Sequence, residues 1–503
     1  MKKLHYLLVF FGSMILLFSV RLSAQTLNSN MHEKFRPQIH FSPRQGWMND
    51  PNGMVYLNGT YHLFYQHYPD SSVWGPMHWG HATSNDLVHW KEQPIGLYPD
   101  SLGYIFSGSI VADELNTSGF SKNGATPLVA LFTHHNIAAE KRGERFNQSQ
   151  SLAYSLDSGR TWLKYAHNPV LPNPGISDFR DPKLLWDKRT KTWIMTLAVK
   201  DHISFYSSPD LKNWKHETDF GNNIGAHGGV WECPDLFPVK YDGREYWVLI
   251  VSINPGAPNG GSGTQYFIGD FNGHVFTPLY TTNEWLDYGK DHYAAVTFAH
   301  TDDKPVLIGW MSNWQYAGKV PTTVWRGAAT LPRQLTIAEI NHHLYVKAMP
   351  VAQVHSLEDH AATQFVLQKD TVLYNFKAPV KIVFKSNSIK NFSIVFSNKS
   401  GNKVMVGFDT TSGSYFINRI YSGNIGFDKN FPGIHWAKRI SHETNNDLTI
   451  YMDEASVELF ADDGLIAMTD ILFPDEPLNT FQIIAAPGSN NLVTVNPLKA
   501  IWE

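Results

Sequence analysis

The chain has 503 residues, a formal net charge of −4 from 41 Lys+Arg against 45 Asp+Glu, and 14% aromatic residues that include 16 Trp. With no long basic or acidic block, nucleic acid and anionic membrane are poor partners. The one cysteine, Cys233, rules out an intramolecular disulfide and a lipid-modified N-terminal cysteine, so stability must come from packed core.

Lys2 and Lys3 are followed by an apolar run from Leu7 to Val20 and by small residues at Ser23 and Ala24. This is the pattern of a secretory signal peptide, residues 1–24, cut after Ala24. A run of about fourteen apolar residues falls short of the ~20 that span a bilayer. No second run of spanning length follows, so the protein is expected to be exported, to periplasm or medium, without membrane insertion.

Beyond residue 30 there is no sustained helical periodicity. Short β-branched and aromatic runs alternate instead with Gly, Asn and Asp turns, which predicts an all-β protein. "DPNGMVYLNGTYHLFYQHY" from Asp50 reads as a strand, an Asn58-Gly59 hairpin turn and a second strand. "DPKLLWDKRTKTWIMTLAV" from Asp181 and "CPDLFPVKYDGREYWVLIVS" from Cys233 repeat that plan. Weaker copies start at Phe106 and His292. A second element recurs in phase: "SNDLVHW" (84–90), "SLDSGRTW" (155–162), "SPDLKNW" (208–214) and "GDFNGHVF" (269–276) each resemble an outer hairpin turn. Two hairpins per unit and five units predict a five-bladed β-propeller over residues 30–345. After a linker at 346–360, alternating strands over 361–503 predict a separate antiparallel β-sandwich.

In a propeller the innermost strands meet around one channel, so residues opening those strands converge. Here they are Asp50, Asp181 and Glu232. Taken singly, each is a strand-end cap or a turn residue, and Asp50 sits in "WMNDPNG", whose Pro51, Asn52 and Gly53 suit a turn. Taken together, crowded carboxyls push one pKa up and leave another ionised, a division that acid/base and nucleophilic chemistry on an acetal requires. Trp47, Trp74, Phe106 and Trp314 are candidate apolar walls of a sugar pocket, and Asn49, Gln66, Ser107 and Arg180 candidate hydroxyl partners. The pairs His134-His135 and His342-His343 lack metal-ligand spacing and read as loop residues. No metal and no cofactor is indicated.

"WMNDPNG" (47–53), "FSGS" (106–109), "FRDPK" (179–183) and "ECPDLF" (232–237), in that order, resemble glycoside hydrolase family 32, the β-fructosidases, over nearly the whole chain. "ASVELFADDG" (455–464) is similar to a marker of that family's C-terminal sandwich. The resemblance implies a five-bladed propeller plus sandwich and an exo-acting, retaining β-fructosidase working on fructan and sucrose. It implies Asp50 as nucleophile, Glu232 as acid/base, and Asp181, beside Arg180, as an ionised transition-state stabiliser. "GWMSNWQYAGKVPTTVWRGAATLPRQL" (309–335) resembles levanases and exo-inulinases most, with Trp314 near the pocket rim. His292 stands where an aromatic is more usual and is expected to alter a rim contact. A fructosyltransferase of the same fold and a non-catalytic fructan-binding propeller are the alternatives. Levan against inulin or sucrose, the sandwich's role and the oligomeric state stay open.

Overall fold

The computed structural model describes residues 31–502, apart from 302–303, 360, 368–371 and 487–490. The expected signal segment, residues 1–24, lies outside the described residues. Among those described, no helix is long and apolar enough to cross a membrane, and the α-helical content is one five-residue element, Ile137–Lys141. The chain is all-β.

Five consecutive sheets come first, each built on four antiparallel strands in chain order. They begin with Gly46–Leu57, Tyr104–Ala112, Phe179–Asp187, Val230–Tyr241 and Tyr293–Thr297. Their first turns are tight where the sequence demands it: Leu57 pairs with Thr60 across Asn58 and Gly59, both at positive φ (50° and 82°), a backbone that matches the twist of the flanking strands. The turns between third and fourth strands are held by side chains. Asp86 accepts the amides of Val88 and His89, Asp157 those of Arg160 and Thr161, and Asp210 those of Lys212 and Asn213. These are the acids of the phased "S-x-D" elements, so the repeat marks four-stranded sheets as expected. The fifth sheet departs from the plan. Residues 311–332 leave it between Val306–Trp310 and Arg333–Ile340, and this excursion carries Trp314 and the short strand Trp325–Arg326, which pairs in parallel with Gly46 and Trp47.

Consecutive sheets share apolar cores. Val55, Phe64 and Trp79 of the first meet Ile110 and Phe132 of the second, and Leu131 and Leu152 of the second meet Leu184 and Met195 of the third. Ile194 and Phe205 meet Leu236 and Leu249, and Phe237 and Ile250 meet Leu307 and Leu335. Finally Tyr293, Ile308 and Trp310 of the fifth sheet pack on Trp47, Met48 and Leu63 of the first. Each such buried side chain contributes about 1.5–3 kcal/mol relative to exposure.

Each opening strand is interrupted by a bulge at the same place, where two residues oppose one on the partner strand. These are Asn49-Asp50 against Gln66, Phe106-Ser107 against Thr133, Asp181-Pro182 against Leu197, Cys233-Pro234 against Val251, and Ala294-Ala295 against Gly309. In three of them the first bulged residue is left-handed: Asp181 (φ 64°), Cys233 (46°) and Ala294 (51°). Such bulges re-aim side chains and cluster beside active sites.

The C-terminal part consists of two six-stranded antiparallel sheets, running from Thr363–Leu367 to Asn491–Pro497 in sequence, packed on one core that includes Ile382, Phe384 and Ile450 against Ile394, Phe396 and Val406. The expected linker begins later than the sequence suggested. Val346–Pro350 complete the last strand of the fifth sheet, His343–Pro350, because their alternating side chains Val346 and Ala348 fill its core. A 3-10 turn, Ala352–Leu357, follows and buries Val354 and Leu357.

The seam between the two parts is charged and closed. Glu458 accepts from Arg333, His40 and the Leu331 amide. Arg333 also reaches Asp287 at 2.8 Å, and His40 also binds Asp453 at 2.7 Å. Arg419 pairs with Asp291 at 2.5 Å and donates to the Tyr316 hydroxyl, and His435 pairs with Asp470 at 2.6 Å.

Candidate active site

The first three bulges and Glu232, the residue before the fourth, line one cavity of about 260 Å³. Asp50, Asp181 and Glu232 all line it, with Asn49, Gln66, Trp74, Phe106, Ser107, Arg180 and Trp314. The three acids were expected at equivalent positions of their strands. They instead occupy three successive places around the same bulge: Glu232 precedes it, Asp181 is its first residue and Asp50 its second. A staggered set lets three carboxyls from three sheets face one point without colliding.

Asp50 is held from three sides. Asn49 Nδ2 donates to Oδ1 at 2.9 Å, Ser107 Oγ to Oδ2 at 2.9 Å, and the Cys233 thiol to Oδ2 at 3.4 Å. Asn49 is in turn fixed by Trp47 Nε1 at 2.7 Å. Asp181 accepts the Cys233 amide at 3.1 Å, while its own amide donates to Thr133 Oγ1. Glu232 takes Arg180 through Nη2 at 2.9 Å and Nε at 3.2 Å on Oε1, and the Tyr293 hydroxyl on Oε2. Arg180 Nη1 is engaged by Asp178 at 2.6 Å.

Electrostatics follow from this crowding. Burial, then the charge of Glu232, raises Asp50 above the usual carboxylate range against its three donors. Burial also raises Asp181 to about 7, with Arg180 opposing and the other two carboxyls adding to the rise. Asp181, expected to stay ionised, is 5% exposed, and that burial works against its charge in the free protein. Burial opposes the charge on Arg180, but Glu232, Asp181 and Asp178 outweigh it. Burial pushes the Cys233 thiol well up, helped by the same carboxylates, so it is a donor and not a nucleophile.

Several other residues sit differently from expectation. Trp47 is not a wall of the cavity: it is 1% exposed and stacks behind Trp314, ring centroids 6.0 Å apart. His292 is not at the rim. It is 2% exposed and lies against Gly309, where burial lowers its pKa to about 4. His134 and His135 are not in a loop but end the strand Leu128–His135, and His135 lines the cavity. His342 does lie in an exposed hairpin turn, whereas His343 begins the next strand. The sequence reading missed Tyr293, His135, Glu140, Gln148, Ser177 and Asp178. Tyr293 had a signal, since it stands in the fifth hairpin where Glu232 stands in the fourth.

Residues 40–348 match the model of the glycosyl hydrolases family 32 N-terminal domain, and residues 350–500 that of the family 32 C-terminal domain. The chain belongs to glycosyl hydrolase family 32. This family 32 glycoside hydrolase is 42% identical over 510 residues to the levanase of Bacillus subtilis (strain 168), covering 97% of this chain and 74% of the levanase. It is 38% identical over 520 residues to an extracellular exo-inulinase of Aspergillus niger, covering 94% of this chain and 96% of that protein. Among solved structures, the exo-inulinase of Aspergillus awamori superposes with a TM-score of 0.88 at 34% identity, covering 94% of this chain and 100% of that one.

Proposed function

We propose that the protein is an exo-acting, retaining β-fructosidase that removes terminal β-D-fructofuranosyl units from fructans and sucrose. The observation that carries this reading is the convergence of Asp50, Asp181 and Glu232 on one cavity, with Arg180 as the counter-charge of Glu232 and Asp181. The cavity, about 260 Å³, lies just below the usual ligand-pocket range, which suits one terminal sugar better than a mid-chain segment. The relatives named levanase and exo-inulinase support fructan as substrate and export as destination.

Asp50 attacks the anomeric C2 while Glu232 gives its proton to the glycosidic oxygen; the C2–O bond breaks as the C2–Oδ bond forms. Water then attacks C2, Glu232 takes its proton, and Asp50 leaves with configuration retained. Asp181 contributes negative charge beside the oxocarbenium-like centre. Burial first, and then repulsion from neighbouring carboxyls, raise Asp50 and Asp181, and both penalties on their charge are relieved when positive charge develops at C2, so the cluster is better matched to the transition state than to the neutral substrate. Gln66 Nε2, buried and without a hydrogen-bond partner among the described residues, is a donor available to a fructose hydroxyl. Trp74 and Trp314 are apolar walls, and Trp47 fixes Asn49.

The five sheets whose apolar cores follow one another, with the fifth on the first, support a five-bladed propeller, and the two six-stranded sheets a β-sandwich. An assay of levan, inulin and sucrose side by side tests the reading. Fructose released one unit at a time in the β form is expected; oligosaccharides released from mid-chain, or inverted fructose, would overturn it.

A further inference from the structure

On one side the cavity mouth is built from a row of rings that ends in a carboxylate the mechanism above does not use. Trp74 stands edge-on to Phe106, centroids 6.2 Å apart, and Phe106 stacks on His135 at 4.2 Å and 7°. His135 Nε2 lies 3.1 Å from Glu140 Oε2, and Glu140, with a side chain 50% exposed, lines the cavity. The hydrogen-bond directions in this row are determined. The Phe179 amide donates to Gln148 Oε1 at 2.8 Å, so Gln148 Nε2 is the end that faces His135 Nδ1, at 3.3 Å. An amide NH₂ only donates, so Nδ1 accepts and the ring proton is on Nε2, pointing at Glu140. A neutral imidazole is what burial also favours here. The chain of bonds starts one residue before Arg180 and two before Asp181, and it orients a carboxylate at the rim.

The charge around that rim is one-sided. Among the described residues lining the cavity, Arg180 is the one permanent cation, and Asp178 and Glu232 engage it. Five carboxyls (Asp50, Asp178, Asp181, Glu232, Glu140) share the space with it. Such a mouth offers an acceptor to a hydroxyl and repels an anion.

We propose that Glu140, positioned by the Gln148–His135 relay, is a specificity-determining residue that accepts a hydroxyl of the sugar on the leaving-group side and confines the enzyme to neutral, unphosphorylated leaving sugars. The proposal rests on the β-fructosidase reading. Its test uses two substrates that share the fructosyl unit: methyl β-D-fructofuranoside, whose leaving methanol has no second hydroxyl, and a β-linked fructosyl trisaccharide. In Glu140→Ala the ratio of kcat/KM for the trisaccharide to that for the methyl glycoside is expected to fall about ten- to a hundredfold, the range of a lost hydrogen bond to a charged group, and mainly through KM. Glu140→Gln, which keeps a neutral acceptor, is expected to fall between that variant and the wild type. Activity on sucrose phosphorylated on the glucose ring, relative to sucrose, is expected to rise in both. The ratio is insensitive to the fraction folded, so equal losses on both substrates, or no change in either, overturn the proposal. A wild-type protein that cleaves neither substrate would instead overturn the β-fructosidase reading, and this proposal with it.

Discussion

Buried carboxylates occur in two regions of this protein, and Glu458 in one is treated in the opposite way to Asp50 and Asp181 in the other. In the seam between the five-sheet and two-sheet parts, acids and cations interlock: Arg333 serves Glu458 and Asp287, and His40 serves Glu458 and Asp453. Arg333 and His40 outweigh the burial of Glu458 and hold it down at about 2, while bonds to Asp453 and Glu458 overcome burial and raise His40 to about 9. In the cavity, Asp181 and Glu232 share one guanidinium, Asp50 is met by the neutral donors Asn49, Ser107 and Cys233, and both aspartates are raised. Compensated charge fixes how two bodies meet. Uncompensated charge is left for a substrate to relieve, at a cost to the free protein.

The comparison can be broken most sharply at Asp50. Asp50→Asn keeps the Asn49 and Cys233 neighbourhood but removes the nucleophile, and kcat on sucrose or levan is expected to drop by about 10⁴-fold or more with no loss in Tm. Full hydrolysis by this variant would remove the enzyme mechanism as written. Its counterpart in the seam is Glu458→Ala, which removes the acid that Arg333 and His40 share and leaves them Asp287 and Asp453 respectively. Urea unfolding is expected to show a loss of about 3–5 kcal/mol, with turnover per folded molecule little changed. A variant as stable as the wild type would show that the seam charges are not coupled as described.

The acids of the two regions, Asp181 and Glu458, also differ in the sign of their pH dependence. Asp181 is raised from 3.8 to about 7, so between these values the folded form keeps a proton that the unfolded chain releases, and this group's contribution to stability falls as pH rises. Asp181→Asn is therefore expected to gain Tm relative to wild type from pH 4 to pH 7. His40, raised from 6.5 to about 9, contributes stability fully below 6.5 and loses it as pH rises towards 9. Glu458, lowered from 4.5 to about 2, contributes above 4.5 and loses it as pH falls towards 2. Tm curves of Asp181→Asn and wild type that stay parallel from pH 4 to 7 would contradict the assignment. The smallest effect is expected at Cys233. A mercurial that reaches its thiol crowds Asp50 and lowers turnover, whereas Cys233→Ser, which keeps a hydroxyl donor to Asp50, retains most of it; labelling without loss of turnover would sink that idea.

The hairpin turns and the phase of the sheets were legible in the sequence because Asn58-Gly59 and the capping Asp86, Asp157 and Asp210 act locally. So were the three acids, which sit in short motifs. The bulges were not, since a two-against-one register exists only once the partner strand is paired, and without it Glu232, Asp181 and Asp50 look equivalent. Trp47 was misplaced for the same reason: proximity to Asp50 in sequence does not say which face of a bulged strand a side chain takes. His135, Gln148 and Glu140 form a row through strands and a short helix with no common motif. His292 looked like a rim residue until Gly309 was found against it.

The most direct test follows the fate of Asp50. Glu232→Gln protein is mixed with β-D-fructofuranosyl fluoride, whose leaving group needs no acid, then quenched and digested for peptide mass spectrometry. With the base for the second step gone, a fructosyl ester is expected to accumulate on the peptide containing Asp50. Fluoride release with no ester at Asp50, or an ester on Asp181 instead, would contradict the account.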